Sequence, residues 1–166
     1  MQCRIRKVSQ KDLSEALYIY NYYIEHSFSN FEEHKITLQK FKSEYKKIIS
    51  KKLPYLVAEI NNRVVGLAYL NNYRFKSGYK YTFENSIYIH PNFINKGIGS
   101  KLIKKLISLS KKNKNINNIV AVIGDSRNKI SIKIHKKIGF KKIGILKRIG
   151  FKKNKWIDSV YMQLQI

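Results

Sequence analysis

Residues 86–100 constrain the fold more than any other stretch: Ser-Ile-Tyr-Ile-His-Pro-Asn-Phe-Ile-Asn-Lys-Gly-Ile-Gly-Ser. An apolar strand over residues 82–89 has to stop at Pro91, which brings no N–H to a ladder. Gly97 and Gly99 then open a helix over residues 98–113, with Leu102, Ile103, Leu106 and Leu109 on its inner stripe. A strand that gives way to an amphipathic helix within one short loop implies sheet and helix layers in contact. The same junction can hold an anion. The first helical turn has unpaired N–H groups and a partial positive charge. Glycines let a phosphate approach the backbone closely, and Lys96 adds charge. A purely structural helix start would use the same two glycines. Neither the Walker pattern nor the three-glycine dinucleotide fingerprint is present.

Periodicity supplies the other elements. Residues 3–8 alternate as a strand. Ser9 caps a helix carrying Leu13, Ala16, Leu17, Tyr20 and Ile24, and a second helix spans residues 37–50. A polar and aromatic loop, residues 26–35, joins them. Residues 54–60 and 64–73 are strands about an Asn61-Asn62 turn. Residues 119–123 are wholly apolar, which predicts a strand buried on both faces. Residues 128–138 form a short helix closed by Gly139, and residues 142–151 and 156–165 form two last strands. The order β-α-α-β-β-β-α-β-α-β-β predicts an α/β domain over residues 1–166, a mixed sheet with helices on both faces.

The net charge is +24, and its two readings lead to different partners. Attraction to an anion is one: nucleic acid, an anionic lipid or a phosphorylated ligand. Coding bias is the other, because 28 Lys, 25 Ile and 15 Asn are spread over every segment while Arg numbers only six. Scattered lysines argue against a nucleic-acid-binding module. Cys3 is the only cysteine, so neither an intrachain disulfide nor a cysteine-rich metal site is expected, and no metal is. No apolar run approaches the roughly 20 residues that cross a bilayer. Arg4, Arg6 and Lys7 break up the N-terminus, so the expected location is the cytoplasm.

The 86–100 segment resembles the coenzyme loop of the GNAT superfamily of N-acetyltransferases, Gln/Arg-x-x-Gly-x-Gly/Ala. Both glycines match, and Ile94 stands where Gln or Arg is usual. Asn128-Lys129-Ile130-Ser131 through His135 to Gly139-Phe140 is also similar. So are Asn21 to Glu25, Tyr55 to Glu59, Tyr81 to Ser86, Val120 to Gly124, and Gly150-Phe151-Lys152 through Trp156. In collinear order these resemble the phosphinothricin (methionine sulfoximine) N-acetyltransferase branch. The resemblance implies the GNAT acyl-CoA N-acyltransferase fold, with a mostly antiparallel central sheet. It implies acetyl-CoA as cosubstrate, a small-molecule amine as acceptor, and a homodimer.

Acetyl transfer to an amine requires a base for the ammonium and donors for the oxyanion, and can use an acid for the thiolate. Glu84, in an aromatic strand, is the candidate base, and partial burial would raise its pKa. The resemblance implies the same role. It makes His135 catalytic too, as an acid or by orienting bound groups. It places the pantetheine arm along Ile87, Tyr88 and Ile89, with a backbone N–H near Tyr88 as oxyanion donor. It places the phosphates on Asn95, Lys96, Gly97, Ile98, Gly99 and Ser100. The resemblance makes Asn128 a coenzyme contact; its own chemistry makes it a helix cap, and it can be both. Arg74 and Lys76 suit an acceptor's anionic group, and Phe31 and Glu32 resemble a substrate-loop pair. The rival acceptors are a protein N-terminus, a lysine or a polyamine.

Overall fold

The computed structural model describes residues 2–166. The strands are β1 (Arg4–Lys7), β2 (Tyr55–Ile60), β3 (Arg63–Asn72), β4 (Thr82–Ile89), β5 (Asn118–Gly124), β6 (Lys141–Lys152) and β7 (Lys155–Gln165). The helices are α1 (Leu13–His26), α2 (Leu38–Ser50), α3 (Ile98–Ser110) and α4 (Lys129–Lys137). One sheet runs in the order β1-β2-β3-β4-β5-β7-β6, and only β4 and β5 pair in parallel. This is the mixed, mostly antiparallel α/β sheet expected.

Local chemistry places most boundaries. Ser9 and Asp12 form a capping pair, with the Ser9 N–H donating to Asp12 Oδ2 at 2.7 Å. The first turn that follows is 3-10, so α1 begins at Leu13 and not directly after Ser9. Thr37 caps α2 through the Lys40 N–H. Asn61 and Asn62 both take the left-handed conformation that a two-residue hairpin turn needs. Lys153 and Asn154 do the same between β6 and β7. Those strands therefore run to Lys152 and resume at Lys155, closer than the gap between residues 151 and 156 implies. The helix expected over residues 98–113 ends at Ser110; residues 111–112 form a turn, and the N–H groups of residues 111–113 reach back to Ile107, Leu109 and Ser110.

Strand alternation distributes the side chains. Tyr88 meets Tyr20 and Tyr23 of α1, whereas Ile87 and Ile89 lie beside Gly99 of α3 and Ile134 of α4. Helices α1 and α2 therefore cover one face of the sheet, and α3 and α4 the other. Leu102, Ile103 and Leu106 of α3 are fully buried against it. Burial of each such side chain contributes roughly 1.5–3 kcal/mol. β5 departs from expectation. Ile119, Ala121 and Ile123 are buried, but Val120 and Val122 are half-buried. Val122 lines a cleft, which an unbroken apolar run cannot reveal.

Candidate active site

β4 and β5 pair only at Thr82–Asn118, Phe83–Ile119 and Glu84–Val120. Beyond Glu84 they diverge, β4 continuing along β3 and β5 along β7. Two strand edges face each other across the gap and lead into a cleft of about 890 Å³.

The β4 edge offers backbone groups. The His90 N–H donates to Val65 O at 2.9 Å. Antiparallel alternation from that pair turns the Tyr88 amide toward β3 and the Ile87 and Ile89 amides toward the cleft. The donors near Tyr88 are thus those of its two neighbours. At the end of β4 the chain turns through Pro91–Phe93 into the glycine segment. Gly97 caps α3 with φ +73, a left-handed conformation that strains other residues. The first turn of α3 carries no acidic side chain, so its N–H groups and dipole are not neutralised locally. Gly99 is demanded neither by φ nor by packing. A Cβ there would meet Ile134 Cδ1 at 3.6 Å and Ile87 Cδ1 at 3.8 Å, both ordinary contacts. The space it keeps open lies on the cleft side.

Glu84 stands at the fork, half-buried, on the α1 face. Burial without a compensating charge raises its carboxyl to about 7 from 4.5. Asn85 points to the other face, where its Nδ2 lies 3.1 Å from His135 Nε2. His135 is buried on α4, and its Nδ1 is 2.8 Å from Ser131 O. A carbonyl only accepts, so Nδ1 carries the proton and Nε2 accepts from Asn85. Burial lowers the His135 pKa below 6.5, which agrees with a neutral ring. Asn85 Oδ1 and Asn30 Nδ2 are buried without a partner among the described residues, and both residues line the cleft. Such orphaned atoms point to a polar ligand.

Most of the expected site residues meet here. Glu84, His135, Ile87, Tyr88, Ile89, Asn95, Gly97, Ile98, Gly99, Ser100, Asn128, Phe31 and Glu32 all line the cleft. Asn128 is also the α4 cap, accepting from the Ser131 N–H at 3.1 Å. Three residues lie outside the lining. Lys96 sits over the Phe93 ring at 4.7 Å. Arg74 rests on the Tyr73 and Tyr79 rings at 5.2 and 5.7 Å. Lys76 caps the turn between β3 and β4. Sequence reasoning missed Asn85, Asn71, Asn72, Tyr69 and Ser131. Only Asn85 had a local signal, as a polar residue on the inward parity of an apolar strand.

The residues present fit the pantetheine arm and phosphates of a coenzyme A thioester: free strand amides, an uncompensated helix N-terminus and a glycine that leaves room. With a high-pKa carboxylate at the fork of a splayed sheet, they define an acetyl-CoA-dependent N-acetyltransferase. Residues 5–161 match the acetyltransferase (GNAT) domain, and the chain belongs to that family. It is 36% identical over 161 residues to a phosphinothricin N-acetyltransferase of Alcaligenes faecalis, covering 97% of this chain and 81% of that one. It is 31% identical over 163 residues to the L-methionine sulfoximine/L-methionine sulfone acetyltransferase of Salmonella typhimurium, covering 98% and 94%. The structure of yncA from Salmonella typhimurium with its cofactor acetyl-CoA superposes with TM-score 0.95 at 30% identity, over 99% of this chain and 94% of that one. Acetyl-CoA is the cosubstrate.

Proposed function

We propose that the chain, acting as one domain over residues 1–166, acetylates the amino group of an amino acid or amino-acid analogue of the phosphinothricin or methionine sulfoximine type. The amine attacks directly in a ternary complex. The observation that carries this reading is Glu84, a carboxylate raised to about 7 at the fork where both substrates can meet.

Bound acetyl-CoA supplies an activated acetyl thioester. Glu84 accepts the proton of the incoming ammonium, directly or through water, leaving the nitrogen lone pair free. The Ile87 and Ile89 amides are the donors for a carbonyl oxygen that gains negative charge. His135 has no free N–H to give, with Nδ1–H on Ser131 O and Nε2 engaged by Asn85. Its role is to orient Asn85 and the cleft wall; when the tetrahedral centre collapses the C–S bond breaks, and the departing thiolate takes its proton from water. No lysine or arginine lines the cleft among the described residues. An anionic acceptor group therefore finds its cations at the rim. Arg74 and Lys76 lie just beyond Asn71 and Asn72 in the chain, and Asn71, Asn72, Phe31 and Glu32 all line the cleft.

The test is coenzyme A release from acetyl-CoA with free amino acids, methionine sulfoximine, phosphinothricin, a polyamine and a ribosomal-protein N-terminal peptide. Turnover on the amino-acid analogues is expected. Turnover confined to the peptide would reject the acceptor assignment. We place the protein in the cytoplasm as a homodimer. Leu146, Ile149 and Phe151 on edge strand β6, with Trp156 beside them, support the dimer, because all four are large, apolar and exposed. Light scattering after gel filtration should give twice the chain mass of 19.6 kDa.

A further inference from the structure

Lys152 is the one fully buried lysine among the described residues, at 1% exposure, and the chemistry above makes no use of it. It ends β6, and its Nζ donates to Asn30 O at 2.6 Å and Ser27 O at 3.1 Å. Its neighbour Lys153 donates to Glu25 O, in the last turn of α1. An ammonium in such a place is costly unless its protons are satisfied. No carboxylate pairs with Lys152 among the described residues. What it meets is backbone. The chain from Ser27 to Asn30 is irregular, so its carbonyls have no ladder to join. A methionine would fill the same volume and leave those carbonyls bare.

The same segment is seated by two glycines. A Cβ on Gly150 of β6 would fall 2.2 Å from Phe31 Cε1, and one on Gly124 of β5 would fall 2.0 Å from Phe28 O. The loop is thus pressed flat onto β5 and β6 and clamped from the β6 end. Immediately after the clamped carbonyls come Phe31 and Glu32, which line the same cleft as Glu84.

We infer that Lys152 is a positioning residue for the amine-acceptor half of the site, fixing Phe31 and Glu32 by holding the Ser27 and Asn30 carbonyls. The acceptor part rests on the function proposed above; the clamp does not. The part of the coenzyme half built by β4 and α3 does not depend on it; Asn128, whose Nδ2 donates to Ser29 Oγ at 3.3 Å, is the one coenzyme-side residue tied to the clamped segment among the described residues.

The test is Lys152→Met, with Lys152→Gln as a second variant and Gly150→Ala to displace the Phe31 ring without touching the lysine. In each, KM for the acceptor should rise about tenfold, while KM for acetyl-CoA stays within about twofold. Backbone amides of residues 27–32 should exchange hydrogen about tenfold faster, and those of α3 unchanged. Unchanged loop exchange in the Lys152 variants overturns the inference. So does a joint rise of both KM values with loss of protection throughout the sheet, the signature of a merely structural residue. If the wild-type chain acetylates none of the acceptors, the proposed function fails, and loop exchange still decides the clamp.

Discussion

Replacing Glu84 by Gln should stabilise the protein at pH 8 while removing its activity. The folded carboxyl titrates at about 7 and the unfolded one at its ordinary 4.5. Between those values the folded chain holds a proton that the unfolded chain has lost. Wild-type stability therefore falls as pH rises from 4.5 through 7, and the whole penalty is present above 7. A shift of that size corresponds to about 3 kcal/mol at 1.36 kcal/mol per unit. At pH 5 less than about 1 kcal/mol of it remains. Glutamine is neutral throughout and nearly the same shape. By the usual conversion for a chain of this length, the variant should melt roughly 6–12 °C above wild type at pH 8. At pH 5 the difference should be no more than ~3 °C. Turnover should fall by about 10²–10⁴, the range for loss of a general base. The assays are thermal unfolding at both pH values and coenzyme A release at pH 8. An equal melting difference at the two pH values would refute the raised pKa, and wild-type turnover would remove Glu84 from the chemistry.

In wild type, kcat/KM should climb about tenfold per pH unit below 7 and level off above it, as Glu84 loses its proton; a flat profile from pH 5.5 to 7 would contradict the assignment. Gly99→Ala should leave apo stability unchanged or raise it by up to about 1 kcal/mol, since Ala is the better helix former. It should weaken acetyl-CoA binding measured by calorimetry, because the Cβ occupies the space kept open beside α3. His135→Ala should cost about 2–4 kcal/mol at pH 8 through a cavity and an unpaired Asn85. Its urea midpoint should also fall less than that of wild type as pH drops below 6.5, because the buried neutral ring resists a proton that the unfolded chain accepts. Arg74→Ala should raise KM for an anionic acceptor and leave acetyl-CoA affinity alone.

Most features that rest on a few neighbouring residues were legible in the sequence, the 3-10 turn after Ser9, the end of α3 and the Lys153-Asn154 turn excepted. Ser9 with Asp12, Thr37 and Asn128 mark helix starts because a capping oxygen reaches N–H groups within one turn. Gly97 and Gly99 mark the proposed coenzyme loop because the requirement is local: a left-handed cap and an open helix end. Glu84 could be singled out because a carboxylate in an aromatic strand is chemically out of place wherever the strand lies. Tertiary structure decided where β4 parts from β5, and so why Val120 and Val122 are not sealed on both faces. That fork arises because β5 follows β7 and β4 follows β3, a choice no single segment encodes. It also decided that Asn85 would meet His135, 50 residues away, whereas the histidine's tautomer is set locally by the Ser131 carbonyl one turn back on α4. Lys152 reaches Asn30 across 122 residues of chain. In sequence it is one of 28 lysines, and only the stacking of seven strands makes it the buried one.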